Sequence, residues 1–159
     1  MFSREMLSME NCWIFVSYPY SEFNAGTISE MEQELRKNSK WPIGKRTPHR
    51  KQLCAGDKVI FYQAGEEGKK FVGCGELFSN LQFDENQKFD FVSIANIELF
   101  GKPIPINKLL ETLSFIHNER CYGHHFQGGI VKIPEEDYRL IMRRAHQSKA
   151  KISIKIKNL

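Results

Sequence analysis

Two stretches decide the fold of this chain: residues 56–62 (GDKVIFY) and residues 71–77 (FVGCGEL). Both are rich in β-branched and aromatic residues, and a glycine-containing segment separates them, so they predict a hairpin of two strands over 58–63 and 71–78. Gly73 and Gly75 occupy alternate positions of the second strand, where glycine is typical of a bend or a close approach of another backbone. The hairpin is therefore predicted to belong to a strongly bent sheet.

Strand patterns recur elsewhere in the chain. Runs of β-branched and aromatic residues predict three further strands, over 12–17, 89–99 and 130–133. The strand at 89–99 is predicted to stop before Pro103 and Pro105, because proline cannot donate to a ladder. Ile152, Ile154 and Ile156 alternate with polar residues, which is strand periodicity in a segment too short to stand alone.

Helix signals are found at three places. Thr27 and Glu30 form a capping box and predict a helix to about Lys37. Pro134, followed by three acidic residues, predicts a second helix, and Asn107 can cap a short third one. Together the elements predict an α+β domain whose core is a bent mixed sheet or partly closed β-barrel with flanking helices.

The composition is that of an ordinary folded domain. Of the 159 residues, 41% are hydrophobic and 26% are charged, so wholesale disorder is excluded. The longest apolar run is too short to cross a bilayer, and acidic residues interrupt the N-terminal segment, so neither a membrane span nor a signal peptide is expected. We therefore expect a cytoplasmic protein with reduced cysteines and no cofactor.

The net charge of +4 is unevenly distributed. Residues 138–159 contain seven of the 23 basic residues and no acidic residue, which leaves the rest of the chain with an acidic excess. Any phosphate-binding surface on the body of the domain must therefore be local. We divide the chain into a leader over 1–10, a domain over 11–146 and a basic tail or linker over 147–159.

One cationic segment combines a tryptophan with several basic side chains. Residues 40–51 (KWPIGKRTPHRK) are predicted to form a structured loop. Its candidates for phosphate contact are Lys45, Arg46, Arg50 and Lys51. Trp41 beside these cations would give a stacking surface for a flat ligand that carries phosphate. The alternative is that Trp41 caps the core and the cations are merely solvated.

A second unusual segment covers residues 117–128 (HNERCYGHHFQG) and is dense in rings. One interpretation is a packed loop whose histidines bond to backbone carbonyls. The other is that Tyr122 forms an aromatic wall and that His124 or His125 donates a hydrogen bond to a ligand. Cys121 and His124 have the spacing of metal ligands, but a second ligand pair is missing, so no metal site is predicted.

Four pieces of sequence stand in a distinctive order. They are WIFV at 13–16, a lone tryptophan with a small-residue step at 41–44, the hairpin quoted above, and the stretch from LSFI at 113–116 to IPEEDYRLI at 133–141. In this order the chain resembles the EVE-domain family of the PUA-like superfamily, over about residues 11–145. Relatives of that family include the YTH-type readers of methylated adenine.

The resemblance implies a barrel-like sheet with one pocket that takes a modified base, in the first place a methylated one, flipped from DNA or RNA. By position it implies five base-contacting residues: Ser17, Tyr18, Trp41, Tyr122 and His125. The four cations named above fall beside that pocket. Stacking would offset the cost of extracting the base, so the module recognises without catalysis. Such domains occur fused to subunits of modification-dependent restriction systems, so a nuclease or NTPase subunit is an expected partner, and a membrane is not.

An enzymatic alternative comes from the same superfamily. Some ASCH domains hydrolyse amides of acylated nucleosides with a signature close to GKKTxExR, and residues 44–50 (GKRTPHR) match its start. His49 replaces the glutamate, which removes the carboxylate that acid–base catalysis needs. No GxSxG, HExxH, P-loop or GxGxxG motif is present, so we predict a binding module rather than an enzyme. A third alternative is a protein-interaction domain that uses the basic tail and a sheet edge.

Overall fold

The computed structural model describes residues 10–17, 28–65, 68–116, 126 and 129–157. The strands are β1 (Cys12–Ser17), β2 (Lys40–Gly44), β3 (Lys58–Gln63), β4 (Lys70–Leu77), β5 (Phe89–Pro105) and β6 (Ile130–Ile133). The helices are α1 (Ile28–Asn38) and α2 (Glu135–Lys157), with 3₁₀ turns at Arg50–Gln52 and Ile106–Lys108. Neither described helix is long and apolar enough to cross a membrane.

All six strands form one mixed sheet in the order β2-β5-β4-β3-β1-β6. β1 and β3 run parallel, and the other neighbouring pairs in this order are antiparallel. The long strand β5 pairs with β2 through its first five residues and with β4 through the rest, so it joins two parts of a curled sheet. The predicted α+β class and bent mixed sheet are confirmed.

Gly73 and Gly75 of the hairpin lie where the sequence predicts a bend or a close backbone approach. The register between β4 and β5 shifts around Gly73 and again around Gly75. A Cβ atom at Gly73 would lie 2.7 Å from the carbonyl oxygen of Glu98, and one at Gly75 would lie 2.9 Å from a methyl carbon of Ile94. Only glycine allows the two strands to approach this closely at the bend.

Both faces of the central strands are buried, which explains why β1 and β3 read as continuous apolar runs. One face packs under α2; we name it the α2-side core. It contains, among others, Ile14, Ile60, Phe71, Phe100, Ile133 and Ile141. The opposite face is the α1-side core, which contains Trp13, Phe15, Trp41, Phe61, Val92 and, from α1, Leu35. Of the predicted base-contacting residues, the two that the structure describes, Ser17 and Trp41, lie on the α1 side.

Two buried aspartates fasten loops to this frame. The Asp57 carboxylate accepts hydrogen bonds from Trp13 Nε1 at 2.9 Å and from the backbone N–H groups of Asn11 and Cys54 at 3.1 and 3.0 Å. Asp137, in the first turn of α2, accepts from the N–H and hydroxyl of Ser114 and from the next backbone N–H. Both carboxylates are therefore satisfied structural groups rather than spare acids.

The structure corrects two predictions about proline-containing segments. Residues 40–44 form strand β2 instead of a loop, with Trp41 and Ile43 facing inward. A proline is tolerated there because β2 is an edge strand. Likewise β5 does not stop before Pro103 but continues to Pro105. After its first five residues, β5 has only one neighbour in the described sheet, β4. The proline nitrogens, which carry no hydrogen, can therefore face the side of β5 that has no neighbouring strand.

Two predictions about the later part of the chain are also wrong. The short helix capped by Asn107 is only a 3₁₀ turn over Ile106–Lys108, and its N-cap residue, Pro105, makes no side-chain cap. The predicted strand at 152–156 is the end of α2, which continues to Lys157. Extending a helix that has already formed costs less than starting a strand that has no neighbour to pair with.

Candidate functional site

A pair of buried polar side chains marks the carboxyl ends of the two parallel strands. Ser17 ends β1 and Gln63 ends β3, and the two residues are paired in register. Their exposed fractions are 0% and 1%. By strand alternation both belong to the face of Phe15 and Phe61, the α1-side core. The residues that precede them on this face, Phe15 and Phe61, are apolar, so Ser17 and Gln63 introduce polar groups at the end of an apolar face.

The backbone around this pair fixes the orientation of the Gln63 amide. Ala64 donates its N–H to the carbonyl oxygen of Ser17 at 2.8 Å. The Nε2 atom of Gln63 lies 3.4 Å from that same oxygen and 3.1 Å from the carbonyl oxygen of Ala64. The amide nitrogen is therefore directed to the main chain, and Oε1, an acceptor, points to the other side of the amide group.

An aromatic layer lies next to the polar pair on the same face. The Trp41 ring stacks on Phe61, with centroids 5.4 Å apart and an interplanar angle of 22°, and it tilts against Phe15 at 5.6 Å. Phe15 and Phe61 precede Ser17 and Gln63 by two residues, so the layer and the polar pair are neighbours along both strands. Trp41 is 3% exposed, which confirms that its ring belongs to the core, the alternative that the sequence left open.

Phe126, the described residue of the ring-dense segment, and nearby Gly129 also lie at this end of the sheet. Phe126 stacks on Tyr62, the residue before Gln63, with centroids 4.5 Å apart, in the α2-side core and so on the face opposite to Ser17 and Gln63. The carbonyl oxygen of Gly129 accepts the N–H of Val16 at 2.8 Å. Tyr18, Tyr122 and His125 themselves lie outside the described residues.

The predicted phosphate-binding cations fall into two groups. Lys45 is engaged: its Nζ donates to the carbonyl oxygen of Asp84 at 2.6 Å and lies 3.6 Å from the buried carboxylate of Asp90. Arg50 is half-buried and donates from Nη1 to a carbonyl oxygen within its own turn. Arg46 and Lys51 are exposed, and within the described part of the chain neither forms an ion pair.

The local backbone presents these cations on a compact turn. After β2 ends at Gly44, the N–H of Thr47 returns to the carbonyl oxygen of Gly44 at 3.0 Å. His49 adopts the left-handed conformation with φ 63° and then leads into the 3₁₀ turn. Gln52 Nε2 contacts the His49 ring at 3.2 Å. The residue in the place of the ASCH glutamate is thus a turn-former bonded within the same turn.

Two of the three described cysteines, Cys12 and Cys74, are not activated nucleophiles. Burial raises the pKa of the Cys12 and Cys74 thiols to about 11, and both belong to the α2-side core, away from Gln63. A thiol with so high a pKa is protonated at neutral pH and unreactive. Among the described residues no group of three or more histidine, cysteine or acidic side chains is arranged to hold a metal.

Gln63 is the residue that the sequence analysis missed. The available signal was a glutamine that ends an otherwise apolar strand, at the boundary of a predicted buried run. Its significance depends on the parallel pairing of β3 with β1, which brings it beside Ser17. That pairing joins residues 46 positions apart and is not visible in local sequence patterns.

Known proteins with similar sequences and structures share this architecture. The chain is 29% identical to a UPF0310 protein of Bacillus licheniformis over 109 residues, which covers 64% of this chain and 74% of that protein. It is 29% identical to a UPF0310 protein of Pyrococcus abyssi over 123 residues, covering 67% and 87%.

Solved structures reproduce the fold at lower sequence identity. A protein from Agrobacterium tumefaciens superposes with a TM-score of 0.61 at 20% identity, covering 85% of this chain and 92% of its own. The human THYN1 protein, solved in complex with DNA containing 5-methylcytosine, gives a TM-score of 0.59 at 13% identity, covering 86% and 98%. At these identities the likeness establishes the PUA-like fold. The sequence profile of the EVE domain matches residues 11–144, so this chain belongs to the EVE-domain family.

Proposed function

We propose that this protein is a nucleic-acid-binding module that takes one modified base, flipped out of DNA or RNA, at the carboxyl ends of β1 and β3. The observation that carries the proposal is the buried Ser17–Gln63 pair beside the aromatic layer of Trp41. A flat, polar-edged ligand matches such a site, because rings contact its face while amide and hydroxyl groups contact its edge. The complex of human THYN1 with 5-methylcytosine DNA supports this choice of ligand.

The energetics of recognition favour a base over a simple anion. Extracting a base from a duplex costs a few kcal/mol, and stacking on an aromatic side chain returns about 1–3 kcal/mol. The Oε1 atom of Gln63 would accept from an exocyclic amino group, which selects cytosine or adenine over thymine. A methyl group adds apolar contact worth about 1–3 kcal/mol relative to the unmodified base.

Trp41 can contact a base only after its surroundings rearrange. Because its ring is 3% exposed and already stacked on Phe61, it presents no open face to a ligand in this arrangement. Base binding therefore requires a local rearrangement around the ring, and association should be slower than simple docking. Tyr18, Tyr122 and His125 are proposed as further contacts; Tyr18 follows Ser17 directly, and Gly129, near Tyr122 and His125 in the sequence, bonds to Val16 beside Ser17.

The cations supply affinity that does not depend on sequence. Arg46 and Lys51 are exposed and suited to direct phosphate contact, whereas Lys45 and Arg50 would first have to exchange a present hydrogen bond. Phosphate contacts position a strand without reading it. The chemistry proposed is recognition alone. A restriction-type nuclease or NTPase partner, RNA as an alternative ligand, and a cytoplasmic location remain predictions.

The test compares matched oligonucleotides that differ by one modification. Short duplexes and single strands carrying 5-methylcytosine, N6-methyladenine or the unmodified base are titrated against the wild type and against Gln63→Leu. We expect the wild type to prefer one modified strand and Gln63→Leu to reduce that preference about 10- to 100-fold. The control is Gln33→Leu, the same substitution at an exposed position of α1. If no modified strand is preferred, or if Gln63→Leu discriminates as well as the control, the assignment is wrong.

A further inference from the structure

An open groove lies on the opposite face of the β2–β5 ladder from Trp41. It has a volume of about 500 Å³ and lies between the end of α1, strand β2 and the turn before β5. Lys40 and Pro42 line it, and these residues alternate along β2 with the inward-facing Trp41 and Ile43. We name it the lysine groove.

Three exposed lysines, Lys37, Lys40 and Lys88, surround the lysine groove. Two of them are positioned by aromatic rings of β5: Lys40 Nζ lies 4.6 Å from the ring centroid of Phe91, and Lys88 Nζ lies 5.6 Å from that of Phe89. A cation held over a ring keeps its charge at the rim of the groove. Within the described residues, Lys37 and Lys40 take part in no salt bridge.

The acidic residues of the lysine groove do not cancel this charge. Asp90 is buried, and its carboxylate accepts the backbone N–H of Asp84 at 3.1 Å and faces Lys45 at 3.6 Å. The carboxylate of Asp84 accepts the backbone N–H of Asn86 at 3.1 Å. Asp84 keeps its negative charge, because a backbone N–H does not neutralise a carboxylate, but Asp90 is paired with Lys45, and the three lysines that line the groove outnumber Asp84. An anion with spaced negative charges is the complementary ligand.

The lysine groove is also connected to the proposed base site. β2 is an edge strand whose alternate residues face the groove (Lys40 and Pro42) and the side of Trp41, so the two faces meet at this border of the sheet. Lys45, at the end of β2, contacts Asp84 and Asp90, both of which line the groove. A nucleic-acid strand that leaves the inner face can thus pass over this edge and remain next to positive charge.

We propose that the lysine groove binds the phosphodiester backbone that flanks the recognised base. This inference rests on the proposed function and extends it from one nucleotide to a longer footprint. Backbone contact through lysines raises affinity for every sequence and makes it salt-sensitive, with each neutralised phosphate contributing about 0.7 to the logarithmic salt slope on a single strand. The base site determines the preference for a modified base, and the groove determines the overall affinity for nucleic acid.

The test neutralises the groove and measures binding against salt. The variant is Lys37→Gln/Lys40→Gln/Lys88→Gln. The matched control is Lys102→Gln/Lys108→Gln/Arg143→Gln, three exposed cations near the far end of β5 and on α2. With a 12-nucleotide strand, the groove variant is expected to lose about tenfold or more in affinity for modified and unmodified sequences alike, and its salt slope to fall by about 2. The control should change neither quantity.

Strand length separates this inference from the base-site proposal. A modified trinucleotide is too short to occupy both faces, so its affinity should be the same for the groove variant and the wild type. An unchanged salt slope with the 12-nucleotide strand, or an equal loss for the trinucleotide and the longer strand, overturns the groove assignment. If the wild type shows no modified-base preference but the groove variant still loses its slope, the groove stands and the base site fails.

Discussion

Replacing Trp41 separates its structural role from its proposed contact with a base. Trp41→Ala removes a ring that is 3% exposed and packed on Phe15 and Phe61. Deleting a buried tryptophan costs about 3–5 kcal/mol, out of about 5–15 kcal/mol for a whole domain. For a chain of this size the melting temperature should fall by about 6–20 °C. Loss of binding in this variant would therefore be ambiguous by itself.

Trp41→Phe resolves the ambiguity, because it keeps an aromatic ring packed on Phe61 and removes only the outer part of the indole. We expect this variant to remain folded while its affinity for the modified strand falls about tenfold, as part of a stacking contribution of about 1–3 kcal/mol is lost. Calorimetry and titration should be carried out on the same preparations. The control is Ile141→Ala, which destabilises the α2-side core by about 2–5 kcal/mol and should leave the modified-base preference intact.

Two outcomes would refute this reasoning about Trp41. If Trp41→Ala melts at the wild-type temperature, the ring does not contribute the packing that its burial indicates. If Trp41→Phe binds the modified strand as tightly as the wild type, the indole is a core residue alone, and the base contacts must come from other side chains. Loss of the modified-base preference in Ile141→Ala would instead show that any destabilisation abolishes binding.

Two further predictions concern the frame. The hydrogen bond to Lys58 lowers the pKa of Glu76, and the same bond raises the pKa of Lys58. The stabilisation is therefore present between about pH 4.5 and 10.5 and is lost as pH falls through the folded pKa of Glu76 or rises through that of Lys58. Because both side chains are about one third exposed, Glu76→Gln should cost at most about 1 kcal/mol at pH 7 and nothing at pH 2; an equal loss at both would contradict the pairing. Gly73→Ala should cost about 1–3 kcal/mol in urea unfolding, because its Cβ would lie 2.7 Å from a carbonyl oxygen, whereas Gly101→Ala, with open space around it, should be near neutral.

The local elements of this fold could be predicted from the sequence because their signals are local. The strands β1, β3, β4 and β6 are confirmed within one residue, and α1 begins one residue after the predicted cap. Each has a run of strand-forming residues or a capping pattern bounded by turn residues. Gly73 and Gly75 likewise indicated the bend, because glycine weakens the interior of a strand unless a bulge or a close backbone approach requires it.

The errors arise where a distant neighbour decides the structure. β2 is five residues long with a proline at its centre, and it is a strand only because β5 lies beside it. The continuation of β5 past Pro103 depends on β4 in the same way. Gln63 could be identified as a site residue only once the parallel register with Ser17 was known. Propensity describes a segment alone, whereas sheet pairing is a property of two segments.

The same sheet separates support from recognition by using its two faces differently. The α2-side core is apolar up to the ends of the strands, and α2 covers it with Ile141 and Ala145. The α1-side core changes at the carboxyl ends of β1 and β3 from large rings to the Ser17–Gln63 pair. Gln63 directs its amide nitrogen to the carbonyl oxygens of Ser17 and Ala64, so the pair also holds the two strand ends together. A structural role alone predicts that Gln63→Leu lowers stability and leaves base discrimination unchanged, whereas the proposed contact predicts that discrimination is lost in protein that is still folded.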